Sequence, residues 1–151
     1  MPQPILDPRK LCQIALVVPD IQAAAERYAA IFGQAVPVPQ ETGGPEATHI
    51  DYRGQSTGAR AKLAFFQAGD GLSIELIEPL GQPSVWKEGL DETGQAVHHI
   101  AFRTADMEGT LKRLAEQGCP TVQRGDFKGG CYAYVDTRPL LGVMVELLAS
   151  R

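Results

Sequence analysis

The chain spells one pattern twice. Gln13-Ile14-Ala15-Leu16-Val17-Val18-Pro19-Asp20 lies on His99-Ile100-Ala101-Phe102-Arg103-Thr104-Ala105-Asp106: Ile, Ala and Asp coincide, and at the same offset Arg27 falls on Arg113. Further along, Ser73-Ile74-Glu75-Leu76 lies on Met144-Val145-Glu146-Leu147, and Leu63-Ala64-Phe65 falls near Tyr132-Ala133-Tyr134. Three matches in one order are what a duplicated unit leaves behind. A repeat constrains the architecture before any single element does.

Each copy reads as strand, helix and three strands. Leu11 to Val18 is strand-like, and Asp20 is placed to cap a helix. Ile21, Ala24, Ala25, Tyr28, Ile31 and Phe32 recur at helical spacing until Gly33. Residues 34–46, with Pro37, Pro39, Pro45 and Gly43-Gly44, read as loop. Strands are predicted over 48–53, 61–67 and 72–78, and a short helix over 84–90. The second copy has a strand at 97–103 and Asp106 as a cap. A helix carrying Met107, Leu111, Leu114 and Ala115 follows, then strands near 121–124, 131–136 and 142–148. The expected organisation is α+β: a poorly ordered, Pro-rich arm over 1–10, a first βαβββ module over 11–79, a connector over 80–96 and a second module over 97–149, all one structural domain.

The repeat also sorts the polar residues. It equates Gln13 with His99 and Glu75 with Glu146. Two related units set face to face bring all four around one pseudo-twofold axis, each inside an apolar strand. Neighbours on a strand point to opposite faces, so His98 and His99 are expected to part company. The repeat assigns His99 to the shared site and His98 to the outer face. Glu78, three along from Glu75, is expected opposite it and solvated. Arg103 shares the face of His99. Carboxylates in an apolar cup are costly unless paired or coordinated, and two of them repel. One imidazole, one amide oxygen and two carboxylates suit a divalent Zn, Co, Ni, Mn or Fe ion, whose charge the carboxylates balance.

Charge narrows the partners. A net charge of −4 and a pI near 5.3 argue against nucleic acid or an anionic membrane. The longest apolar runs are strand-length, so no membrane span is expected. Residues 1–8 show neither a basic nor an apolar leader region. Cys12, Cys119 and Cys131 share no metal-like spacing, and reduced thiols in a cytoplasm are the expectation.

The paired βαβββ pattern, the Gln/His-Ile-Ala starts and the Glu-Leu strand ends resemble the vicinal oxygen chelate superfamily, the glyoxalase and bleomycin-resistance fold, over residues 11–149. Within it, Ile74 to Gly81, the connector, and His98 to Phe102 are similar to methylmalonyl-CoA epimerases. Epimerases usually carry His at the position of Gln13 and Gln at that of Glu75. The set Gln13, Glu75, His99, Glu146 instead resembles eukaryotic glyoxalase I, a zinc lactoylglutathione lyase. An acidic residue that epimerases carry ahead of the third strand has no counterpart in Gln55 to Arg60.

The resemblance implies a cup-shaped mixed sheet and one divalent metal ion on the four residues. It implies an isomerase or epimerase that removes a proton beside a metal-polarised carbonyl, with Glu146 as the first choice of base and Glu75 the second. Arg103 would pair with a substrate carboxylate or phosphate. The substrate would be an acyl-CoA or a glutathione/2-oxoaldehyde adduct, and the assembly a homodimer. Two other functions occur on this fold. A metal-free drug-binding cleft would not need four polar cup residues. An Fe(II) ring-cleaving dioxygenase needs two His and one Glu, and Gln13 stands where the first His should be.

Overall fold

The computed structural model describes residues 3–151, so Met1 and Pro2 of the expected arm lie outside the described residues. The rest of that arm is docked, not loose. Asp7 caps a 3₁₀ turn at Pro8–Lys10. Ile5 and Leu6 pack on the core beneath the second module's helix, and Arg113 donates to the carbonyls of Gln3 and Pro4.

In chain order the elements are β1 (Leu11–Val17), α1 (Ile21–Phe32), β2 (Gln40–Glu41), α2 (Pro45–Thr48), β3 (Asp51–Tyr52), β4 (Gln55–Ser56), β5 (Arg60–Gly69) and β6 (Leu72–Leu80). Then come α3 (Val85–Thr93), β7 (Ala96–Arg103), α4 (Met107–Glu116), β8 (Thr121–Phe127), β9 (Gly130–Val135), α5 (Arg138–Leu141) and β10 (Met144–Ser150). The strands form a single mixed sheet in the order β2-β5-β6-β1-β7-β10-β9-β8-β3-β4. Its centre is antiparallel, β1 on β7, and each of these has its module's last strand alongside in parallel. The sheet curls, and each face has its own core.

On the convex face α1 and α4 lie in equivalent places. Asp20 caps α1 by accepting from the Ala23 N–H, and Gly33 closes it in the left-handed region that glycine enters freely. Ile21, Ala24, Ala25 and Ala29 then bury against Val18, Ala64, Phe66 and Leu76. Met107, Leu111 and Leu114 of α4 do the same against Val135, Val145 and Leu147. On the concave face α3 brings Val85 and Trp86 down onto Ala15, Val17, Ala61, Ile77, Tyr134 and Met144. Each helix covers one patch of a sheet apolar on both faces. No helix among the described residues is long and apolar enough to cross a membrane.

The stretch 34–53 departs from expectation. Residues 34–46 include β2, which pairs with Lys62 and Leu63 of β5. In place of a strand over 48–53 there is a helical turn and the two-residue β3. That strand joins not its own module but the far edge of the other, with Asp51 opposite Arg124 and Tyr52 opposite Gln123. Pro45 starts the turn and His49 ends it at positive φ. Ile50, 2% exposed, then anchors the segment in the concave core. The hydrophobic residue is what holds this short ladder, which β propensity alone would not.

Candidate metal centre

Four neighbouring strands build the site from two rows of the sheet. In one row Ala15 lies opposite both Glu75 and His99. In the next row Ala101 lies opposite both Gln13 and Glu146. The rows are two residues apart, so all four polar side chains rise from the concave face. Ala15 and Ala101, both 0% exposed, form the floor between them. Methyl groups there leave room above that any larger side chain would fill.

The structure thus brings Gln13, Glu75, His99 and Glu146 together. His99 Nε2 lies 3.6 Å from Glu75 Oε1 and 3.4 Å from Glu146 Oε1. His99 Nε2 and Gln13 Oε1 are the buried side-chain atoms left without a hydrogen-bond partner among the described residues. Buried polar atoms are normally satisfied, so two orphans in one cup call for a ligand. Donors each about 2.1 Å from a tetrahedral ion stand about 3.4 Å apart, close to the two spacings between His99 Nε2 and the carboxylates. No three His, Cys, Asp or Glu side chains among the described residues yet converge at coordination distance.

The electrostatics agree. Burial first, and the charge of Glu146 second, hold the Glu75 carboxyl well above the usual carboxylate range. Without a cation the pair relieves its repulsion by keeping a proton. Tyr134 packs its ring edge-on to His99 with centroids 4.9 Å apart. Its hydroxyl accepts from Trp86 Nε1 at 2.9 Å. Gln123, also buried, accepts from the Val85 N–H and donates to Tyr132. Side chains of β8 and β9 thereby seat α3 over the cup.

His98 is not on the outer face. Ala15 pairs with His99 and Leu16 with Val97, so His98 is the extra residue of a bulge in β7. Strict alternation fails at a bulge, and both imidazoles turn to the concave side. His98 Nδ1 lies 2.9 Å from His99 Nδ1, and its Nε2 lies 2.9 Å from the carbonyl oxygen of Val85. Burial, and then the neighbouring His99 ring, push His98 down to about 3, so it is neutral.

One other residue also differs from expectation. Glu78 does lie opposite Glu75, but instead of being solvated it accepts from the Ile21 N–H at the start of α1. Arg103 is exposed at the end of β7 and lines a surface cleft with Lys10, Asp106 and Arg113. The part His98 plays escapes strict alternation; its trace in the sequence is Gly89, inside α3.

The curled sheet and its four-donor cup define a class of α+β protein built from paired βαβββ units. The chain belongs to the glyoxalase/bleomycin resistance protein/dioxygenase superfamily, whose family model matches residues 12–135. Among curated relatives, Bacillus subtilis YqjC is 36% identical over 91 residues, spanning 58% of this chain and 64% of that protein. An ethylmalonyl-CoA/methylmalonyl-CoA epimerase of Cereibacter sphaeroides is 27% identical over 143 residues, covering 91% of this chain and 96% of that one. Methylmalonyl-CoA epimerase from Mycobacterium tuberculosis superposes with a TM-score of 0.66 at 22% identity, over 100% of this chain and 93% of that one. A Streptomyces coelicolor methylmalonyl-CoA epimerase solved with 2-nitronate-propionyl-CoA gives a TM-score of 0.62 at 22% identity, over 93% of this chain and 96% of that one.

Proposed function

We propose that the protein is a metal-dependent isomerase of the epimerase type, holding one divalent cation on Gln13, Glu75, His99 and Glu146. The observation that carries this reading is a pair of orphaned buried donor atoms: His99 Nε2, between the Glu75 and Glu146 carboxylates, and Gln13 Oε1, on the sheet row of Glu146. The bound cation would polarise a carbonyl and stabilise the negative charge that grows as the adjacent carbon loses its proton. Glu146 is the base that receives this proton on a carboxylate oxygen. Glu75, across the pseudo-twofold axis, returns one from the opposite side. Trp86 packs on Tyr134, which lies against the His99 ring.

The substrate class is a 2-substituted acyl-CoA, supported by the alignment with the Cereibacter epimerase over most of both chains. The donor set supports a second reading, a lactoylglutathione lyase-like enzyme acting on a glutathione/2-oxoaldehyde adduct. Chain purified without chelator tests both. One equivalent of Co²⁺ or Ni²⁺ is expected to bind and, at about 100 times its Kd, to stabilise by about 2.7 kcal/mol. That corresponds to a rise in Tm of about 5–10 °C. No stoichiometric binding and no shift would end the metal reading. Deuterium entering methylmalonyl-CoA from D₂O, against consumption of the methylglyoxal–glutathione hemithioacetal, separates the substrates. Glu146→Gln is expected to lower the turnover of whichever is used by about 10²–10⁴-fold.

A further inference from the structure

We propose that His98 is the positioning residue that decides which nitrogen of His99 faces the cup. A carbonyl oxygen can only accept, so the proton of the Val85 contact sits on His98 Nε2. His98 is 9% exposed and its polar partners are that carbonyl and one imidazole. With no anion against it, a buried imidazole stays neutral. Its Nδ1 is therefore bare and accepts, and the donor 2.9 Å away is His99 Nδ1–H. The proton held there leaves His99 Nε2 with a free lone pair, aimed at the two carboxylates.

Three independent features hold this chain of contacts. The bulge at His98 turns the two imidazoles to one side of the sheet. The first residue of α3 supplies the carbonyl, and Gln123 of β8 fixes that residue through its N–H. Gly89, one turn along α3, lets the helix lie against the His98 ring: a Cβ there would fall 2.5 Å from His98 Cδ2. A glycine inside a helix is otherwise a defect. Here it is the clearance for an imidazole, and α3 and the candidate ligand become one mechanical unit.

The inference deepens the metal reading and rests on it for its purpose, but its first test needs no metal. The chain contains only three histidines. Their side-chain ¹⁵N resonances are therefore assignable with His49→Gln and His98→Asn, and their tautomers readable directly. Expected are a proton on His99 Nδ1 coupled through the hydrogen bond to a bare His98 Nδ1, and a proton on His98 Nε2. A proton on His98 Nδ1, or a bare His99 Nδ1, overturns the proposal whatever the metal does.

The second test is Co²⁺ affinity by titration of the visible absorption bands. His98→Phe keeps the bulk and loses both nitrogens, and is expected to weaken Co²⁺ binding about 10–100-fold, as loss of a partner behind a ligand does. His98→Asn restores an acceptor for His99 Nδ1–H and is expected to recover most of that loss. Equal affinity in His98→Phe and the unaltered chain overturns the positioning role while leaving the metal site standing. The expected tautomers with no Co²⁺ binding in any form would instead overturn the metal reading.

Discussion

At the scale of single residues, the candidate centre is a balance of charges that pH should tip. Glu75 holds its proton more tightly folded than unfolded. Between the unfolded carboxyl value and the raised folded one, the unfolded chain binds fewer protons, so stability falls as pH rises through that window. In chelator, the Tm of the metal-free protein should therefore drop from about pH 4.5 upward. Glu75→Gln should flatten that slope and raise the neutral-pH Tm, while abolishing the stabilisation by Co²⁺. A thermal scan across pH that shows the same slope in both forms would dispose of this account. The convergence of Gln13, Glu75, His99 and Glu146 was legible because the repeat pairs them, and pairing survives any error in strand ends. The side taken by His98 was not. Alternation was the rule used to place it, and a bulge is a local break in that rule with no signature in the letters Val97-His98-His99-Ile100.

At the scale of elements, α3 is where sequence and structure pull apart most usefully. By propensity Gly89→Ala should stabilise a helix by about 1 kcal/mol. Against the His98 ring it should instead destabilise by about 1–3 kcal/mol, through overpacking. The measurement is a double-mutant cycle. Gly89→Ala lowers the Tm in the unaltered chain and raises it in a His98→Ala background, and additive effects would refute the contact. The Asp20 cap gives a plainer case: Asp20→Ala should cost about 1 kcal/mol and lower the Tm by about 2–4 °C. Helices α1 and α4 and the long strands were readable because each has an apolar face set by its own periodicity. Strands β2 and β3 were not, being two residues each and held by partners elsewhere in the sheet. A ladder that short carries no periodicity to read.

At the scale of the whole molecule, the two units are one object. They share the β1–β7 ladder, the concave core and the cup, and each provides half of the candidate donors. Expressed separately, residues 3–94 and 95–151 should show no cooperative melt by circular dichroism, and mixing them should restore one. A cooperative transition in either fragment alone would mean the modules are independent. The repeat made the doubled architecture legible. It could not show that the first unit lends its β3–β4 hairpin to the far edge of the second, because the second copy has no such segment to compare.

That loan has a consequence for synthesis. Tyr52 leaves the ribosome before its partner Gln123 has been made. At about 5–20 residues per second the interval is roughly 4–15 s. Through it the nascent chain carries a hairpin whose outer partner strand does not yet exist. The first half of the chain therefore emerges with that edge of β3 open.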